Sequence, residues 1–111
     1  MRLTFKSLAC VLGLTLVSSI ACADVTENWT KSCASCHGKD GGGHTKAGRM
    51  AGVKDLSNAD YQNTFTDADA AKQIKDGLQD KNGKIRMKAF AETLSDSDIK
   101  DLVAYVRTLK K

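Results

Sequence analysis

Residues 33–37, Cys33-Ala34-Ser35-Cys36-His37, place two cysteines three positions apart and a histidine directly after the second. Residues i and i+3 lie on the same side of one helical turn, so the two thiols can add to the two vinyl groups along one edge of a haem. The next residue is rotated by roughly 100° around a helix, which lets His37 offer Nε2 to the iron. The pattern therefore predicts covalent haem attachment through Cys33 and Cys36, with His37 as the proximal iron ligand.

Three other uses of these residues compete with haem attachment. Thiol–disulfide enzymes of the thioredoxin type also use Cys-x-x-Cys, but within a βαβ pattern that this sequence does not show. A zinc site is the second alternative, made of Cys33, Cys36, His37 and His44. The adjacent Cys36 and His37 suit a tetrahedral centre poorly, and no second cysteine pair follows. The third alternative is a structural disulfide, which an exported chain permits.

The first 23 residues have the features of a secretory signal peptide. Arg2 and Lys6 precede a mostly apolar run over 8–20, and Ala21-Cys22-Ala23 is an A-x-A cleavage signal. That run of 13 residues is short for a membrane span. Cleavage after residue 23 would leave 111 − 23 = 88 residues, 24–111, as one domain in the periplasm. Acylation of Cys22 is the alternative, although lipoprotein signals favour an aliphatic residue where Ser19 stands.

Cleavage would also change the cysteine count and the charge. Cys10 and Cys22 would be lost, so Cys33 and Cys36 would be the only cysteines left, which is no disulfide framework. The formal charge of +4 would fall to 15 − 13 = +2. Such a small charge is not the signature of a nucleic-acid-binding protein.

Capping residues and apolar spacing predict an all-α domain with about four short helices. Three helices are expected before position 95. They cover 24–33, a short segment from just after 57 to about 63, and 66 to about 76. Gly77 is expected to end the third of them in the left-handed conformation. Acids and serines at 95–98 predict the start of the final helix, whose apolar stripe is Ile99, Leu102, Val103, Val106 and Leu109. The glycine-rich segment 38–52 and the polar segment 79–93 are expected to be loops.

Haem iron has a second axial position, and spacing alone leaves its ligand open among Met50, Met87 and His44. His44 follows His37 by seven residues, a tight path around the macrocycle. A tether of 13 residues to Met50 could span about 40 Å, so reach does not exclude it. Met87 lies 50 residues beyond His37, where no helical or strand period explains an apolar residue.

The sequence resembles the class I c-type cytochromes, specifically the small exported bacterial monohaem members. The resemblance covers 24–111. It rests on five segments, which are Cys33-Ala34-Ser35-Cys36-His37-Gly38, Gly77, Met87-Lys88-Ala89-Phe90, Leu94-Ser95 and Ile99-Lys100-Asp101-Leu102-Val103-Ala104-Tyr105-Val106.

The resemblance implies a cytochrome c-like fold wrapped around one covalent haem c. It implies that Met87 is the distal ligand, since the family takes this ligand from a methionine before the last helix. It also implies that Trp29 packs on that helix, with Leu102 and Tyr105 as partners. The expected function is electron transfer rather than catalysis, with redox partner proteins docking at an exposed haem edge. Basic residues expected at that edge are Lys39, Lys84, Arg86 and Lys88. Neither nucleic-acid binding nor stable membrane insertion after cleavage is expected.

Two departures from the family pattern concern proline, which is absent from the sequence. The family often has proline after the distal methionine and another after the haem motif, whose carbonyl accepts from the ligating histidine. Here a carbonyl within 45–53 has to hold His37 Nδ1, and the Met87 loop is expected to be less rigid. If Met87 dissociates, the alternative function is a haem enzyme or a gas-binding haem protein. A haem-free thiol redox or metal-binding module is the less favoured alternative.

Overall fold

The structure is a computed structural model that describes residues 24–111. The predicted signal peptide, 1–23, lies outside the described residues. Within them, six helices and one hairpin follow in the order α1 (Asp24–Ser32), α2 (Ala34–His37), α3 (Lys46–Ala51), α4 (Ala59–Gln62), α5 (Asp67–Asp76), β1 (Leu78–Gln79), β2 (Ile85–Met87) and α6 (Asp96–Thr108). None of the helices in this part of the chain combines the length and the apolarity needed to cross a bilayer.

The two longest helices begin where the sequence predicts. Thr66 and Asp69 form a reciprocal capping box at the start of α5, and Ser95 and Asp98 form another at the start of α6. Each box satisfies backbone N–H groups that the first helical turn leaves without a partner. Helix α4 is capped by Asn58, whose side chain accepts from Tyr61 N, and it lies within the short segment after 57 where a helix is expected.

The hydrophobic core lies where α1 and α5 pack against α6. Trp29 of α1 is buried, and its ring centroid lies 5.3 Å from that of Tyr105 on α6. Leu102, the most deeply buried large side chain described, belongs to the same cluster. The expected contact between Trp29 and the last helix is therefore present. The buried apolar residues are Trp29, Cys33, Ile74, Phe90, Leu94, Ile99, Leu102, Val103 and Val106.

Arg107 fastens the segment between α4 and α5 to helix α6. Its Nη1 donates to the Gln62 carbonyl at 2.6 Å, its Nη2 donates to the Phe65 carbonyl at 2.9 Å, and its Nε pairs with Asp67 at 2.8 Å. The buried Gln62 amide donates in turn to the Val106 carbonyl at 2.8 Å. These bonds give partners to carbonyls near the ends of α4 and α6 and to the Phe65 carbonyl in the segment between α4 and α5.

Two elements lie in segments that were expected to be loops. Helix α3 is capped at its start by Thr45, whose hydroxyl accepts from Gly48 N at 2.8 Å, and at its end by Gly52 in the left-handed conformation. Strands β1 and β2 pair antiparallel, with Leu78 opposite Met87. These short elements leave the chain mostly helical, so the predicted all-α class holds.

Gly77, which ends α5, differs in detail from its expected conformation. Its φ is +75° as a left-handed cap requires, but its ψ is −172°. The expected left-handed conformation is therefore wrong. The extended ψ has a structural reason, because the chain passes directly from the helix into strand β1.

Candidate haem-binding site

A cleft opens beside the core and is made of two cavities of about 300 and about 500 Å³. Both volumes lie in the range typical of ligand and cofactor pockets. The two cavities share six lining residues, which are Cys33, His37, Leu56, Tyr61, Gln73 and Met87. We call the combined space the cleft. It unites the cysteine–histidine motif, near the start of the described chain, with a methionine that lies 50 residues later.

The backbone of the motif is fixed on the single turn of α2. His37 N donates to the Cys33 carbonyl at 2.9 Å, and the His37 carbonyl accepts from Gly43 N at 2.8 Å. The Thr45 hydroxyl donates to the Cys36 carbonyl at 3.0 Å. The glycine-rich segment and the cap of α3 therefore hold the turn that presents the motif to the cleft.

The imidazole of His37 has the chemistry of a metal ligand. Burial lowers its pKa below the usual value, so the ring is neutral at pH 7, and neutral imidazole is the form that binds metal ions. Its Nδ1 is buried, with no hydrogen-bond partner among the described residues. The expected carbonyl bond from 45–53 is thus not formed. The ligand role expected for Nε2 is therefore supported by the neutral ring and by its place in the cleft, whereas Nδ1 lacks the hydrogen bond that usually orients a ligating histidine.

The cysteines fit haem attachment better than thiol redox chemistry. Both Cys33 and Cys36 are free thiols. Burial, with a smaller contribution from Cys36, raises the pKa of Cys33 to about 11. Thiol–disulfide enzymes need the opposite shift, because the thiolate is the nucleophile. The described residues also contain no group of three or more His, Cys, Asp or Glu side chains able to hold a metal ion, which argues against the zinc alternative.

Among the three candidates for the distal ligand, Met87 is the one that lines the cleft. It lies on β2 and is half-buried, whereas Met50 is 71% exposed and His44 is exposed. The Met87 sulfur accepts a hydrogen bond from Gln73 Nε2 at 3.8 Å. Gln73 was missed in the sequence, where no pattern singles it out. It is an exposed polar side chain directly before buried Ile74, in the helix predicted over 66 to about 76.

The hairpin that carries Met87 is braced by one ion pair. Arg86 Nε donates to Asp80 Oδ2 at 3.1 Å, and Arg86 Nη1 donates to the Met50 carbonyl at 3.3 Å. The second of these bonds joins β2 to α3. The Met87 segment therefore has fixed neighbours although no proline follows it.

The charges that line the cleft are unevenly distributed. The larger cavity is lined by four basic side chains and by no acidic one, namely Lys31, Lys54, Arg86 and Lys88. Arg86 and Lys88 were expected at this edge, whereas Lys39 and Lys84 do not line either cavity. The smaller cavity has Asp69 as its charged lining residue. Lys31 is paired with Glu27 and Arg86 with Asp80, so the basic charge at the mouth of the larger cavity comes mainly from Lys54 and Lys88.

Comparison with known proteins identifies the family. A family model described as cytochrome c matches residues 23–110. The chain belongs to the cytochrome c family. It is 31% identical over 105 residues to cytochrome c-553 of Helicobacter pylori (strain ATCC 700392 / 26695), which covers 95% of this chain and 99% of that protein.

Solved structures agree with this assignment. The KustC0563 c-type cytochrome superposes with a TM-score of 0.69 at 31% identity, covering 79% of this chain and 99% of that one. A tyrosine-to-phenylalanine variant described as Kustc0563 gives a TM-score of 0.67 at 30% identity, covering 78% and 99%. The predicted cytochrome c-like fold and the resemblance to small class I c-type cytochromes are both confirmed.

Family membership also identifies the cofactor and the broad function. The chain binds haem c covalently and is an electron-transfer protein, and it therefore works with redox partners. The cleft fits such a group, because it combines mostly apolar walls with two free thiols, a neutral imidazole and a thioether.

Proposed function

We propose that this cytochrome shuttles single electrons in the periplasm and is not an enzyme. In this proposal, Cys33 and Cys36 hold haem c through thioether bonds, and His37 and Met87 are its axial ligands. The observation that supports the ligand pair best is that His37 and Met87 line the same two cavities, whereas Met50 and His44 line neither. Bound haem c supplies an Fe(III)/Fe(II) couple whose potential His/Met ligation raises.

The residues around the cleft support electron transfer rather than catalysis. His37 and Met87 would fill both axial positions with uncharged ligands, so a substrate or a gas would first have to displace one of them. Phe90, Leu102 and Val106 are buried and line the cleft, where they exclude water. A dry site with fixed ligands needs little reorganisation when the iron changes charge.

The basic mouth of the larger cavity is the proposed docking surface for redox partners. Lys54 and Lys88 are exposed there, beside Leu78, which is 45% exposed. An apolar contact with a basic rim suits a brief encounter with an acidic protein surface. Complexes of this kind are small, weak and sensitive to salt.

Replacement of each methionine tests the ligand assignment. We expect Met87→Ala to abolish the charge-transfer band that thioether ligation gives Fe(III) haem, and the matched variant Met50→Ala to retain it. The reverse pattern would assign the distal position to Met50, and a band that survives in both variants would exclude both methionines. Binding of carbon monoxide by the native reduced protein at neutral pH would favour the haem enzyme or gas-binding alternative.

The same preparation tests export and attachment. We expect the intact mass under denaturing, reducing conditions to equal that of residues 24–111 plus one haem. A chain that keeps residues 1–23 would contradict cleavage, and a chain that loses its haem would contradict the thioether bonds.

A further inference from the structure

The tip of the hairpin carries the pair Asn82-Gly83, and both residues are exposed. The carbonyl carbon of an asparagine side chain can be attacked by the backbone nitrogen of the next residue. A glycine in that next position leaves the approach open, because it has no Cβ. The other asparagines of the chain, Asn28, Asn58 and Asn63, are each followed by a residue with a side chain. Asn82 is therefore the asparagine whose amide is most open to this attack.

The reaction at this pair is a deamidation that consumes only water. Gly83 N loses its proton and bonds to the side-chain carbonyl carbon of Asn82, and the bond from that carbon to the amide nitrogen breaks. Ammonia leaves, and a succinimide ring remains. Water opens the ring at one of its two carbonyls and leaves an aspartate or an isoaspartate. The product is ionised at neutral pH, so the hairpin gains a negative charge.

The closed hairpin holds the attacking nitrogen away from this reaction. Gly83 N donates to the Asp80 carbonyl at 2.9 Å, and Asp80 N donates to the Lys84 carbonyl at 2.9 Å. Asn82 N donates to Asp80 Oδ1 at 2.9 Å. The first bond retains the proton that Gly83 N has to lose, and the last restrains the backbone rotation that would bring the Asn82 amide to the nitrogen. The reaction therefore requires the hairpin to open.

The new charge would lie beside groups that matter for the cleft. Asp80 already places one carboxylate in this turn and pairs with Arg86, whose side chain lines the larger cavity. A second carboxylate at position 82 would repel the first. An isoaspartate would also insert an additional carbon into the backbone of a turn that is closed by hydrogen bonds. Both products therefore weaken the hairpin that carries Met87.

We propose that Asn82 is a site of spontaneous deamidation that is controlled by the opening of the hairpin. Local opening has a lower free-energy cost than global unfolding and sets the exposure of such a group. Each reaction turns a transient opening into a permanent negative charge near the mouth of the cleft. The proposal uses only the hairpin and does not depend on the identity of the distal ligand.

The test follows each asparagine of the mature, haem-containing protein in mildly alkaline buffer, by peptide mapping with mass spectrometry. We expect Asn82 to deamidate about tenfold more slowly in the folded protein than in guanidinium chloride. In the folded state we expect Asp80→Ala to react about fivefold faster than the native protein, because the side-chain hydrogen bonds of the turn are lost. Asn63 is exposed and is followed by Thr64, so it serves as the internal reference and should keep its amide.

Gly83→Ala is the matched control for the chemistry. A Cβ on Gly83 would meet nothing within 4 Å, but it obstructs the attack of the backbone nitrogen. We expect Asn82 in this variant to react about tenfold more slowly than in the native chain when both are in guanidinium chloride, where the strain of a positive φ plays no part.

Two results would overturn the proposal at different points. An Asn82 that stays intact in guanidinium chloride, or that reacts equally fast in Gly83→Ala there, would refute the modification site. Equal rates in the folded and the denatured native protein would refute control by the hairpin, and this comparison decides the question even if Asp80→Ala does not fold. A folded Asp80→Ala that reacts at the native rate would refute the protection by the Asp80 turn.

Discussion

Gly77 is the residue on which the placement of Met87 depends most directly. Its φ of +75° and ψ of −172° belong to a region that is open essentially to glycine alone. A Cβ at this position would lie 2.6 Å from the Met87 carbonyl oxygen and 2.8 Å from Ala89 N. Both atoms are backbone and cannot rotate away. The absence of a side chain thus allows the end of α5 to touch the Met87 segment.

Gly77→Ala and Gly83→Ala compare a crowded glycine with an open one. Both have positive φ, but a Cβ on Gly83 would meet nothing within 4 Å. We expect Gly83→Ala to lower the free energy of unfolding by about 1 kcal/mol, and Gly77→Ala by about 3 kcal/mol because a backbone clash is added. Urea titration gives both values. Equal losses in the two variants would show that the close approach to Met87 contributes nothing.

Single residues were predictable from the sequence where their chemistry is local. The spacing on one helical turn predicts the roles of Cys33, Cys36 and His37. This spacing is a local feature that does not depend on contacts with distant parts of the chain. Gln73 and Lys54 are different, because each acquires its place in the cleft from the packing of another element. The spacing of residues in the sequence does not contain that information.

The hairpin of β1 and β2 holds Met87 in place where the family often relies on a proline after the methionine. Asp80 organises it, since its Oδ1 accepts from Asn82 N at 2.9 Å and from Lys84 N at 3.0 Å while its Oδ2 pairs with Arg86. The N–H group of Lys84, followed by Asn82 and Arg86, holds the pKa of this carboxyl below its usual value. The hairpin therefore relies on the ionised form of one side chain.

This dependence gives the hairpin a defined response to acid. Because the pKa of Asp80 is lower in the folded than in the unfolded state, its contribution is complete above the unfolded value. It is lost as the pH falls through the folded value. We expect the free energy of unfolding to fall less steeply between about pH 5 and pH 3 in Asp80→Asn than in the native protein. Urea titrations at each pH measure the slopes, and identical slopes would contradict this role.

The elements that the sequence predicts correctly are those with their own signals. A capping box and an apolar stripe in the sequence predict each of the helices α5 and α6. Helix α3 lies among glycines that argue for a loop, and its helical turns depend on the Thr45 cap. Strands β1 and β2 have two and three residues, too short for an alternating pattern. Their pairing arises from the Asp80 turn rather than from strand propensity.

At the scale of the whole molecule, the proposed docking of redox partners depends on where the charges lie rather than on their sum. The net charge of the full chain is only +4, yet four basic residues line the larger cavity. A local field of this kind steers oppositely charged partners at low salt and is screened at high salt.

Lys88→Glu tests that steering, with Lys100→Glu as a control for net charge. Lys88 lines the cleft, whereas Lys100 is exposed on α6 and lines neither cavity. At about 10 mM salt we expect Lys88→Glu to slow oxidation by anionic hexacyanoferrate(III) about threefold more than Lys100→Glu does. The difference should vanish near 1 M salt, where the Debye length is about 3 Å. Equal rates for the two variants at low salt would show that the basic mouth does not steer.

The packing of α1 on α6 has a consequence for biosynthesis. The first helix of the described chain finds its partner in the last one, through Trp29 and Tyr105. If the chain is exported with its N-terminal end first, as proposed, Cys33 and Cys36 emerge well before the helix that packs against α1. Until that helix arrives, both thiols stay accessible for attachment to the porphyrin. The order of the chain thus leaves time for maturation before the interior closes.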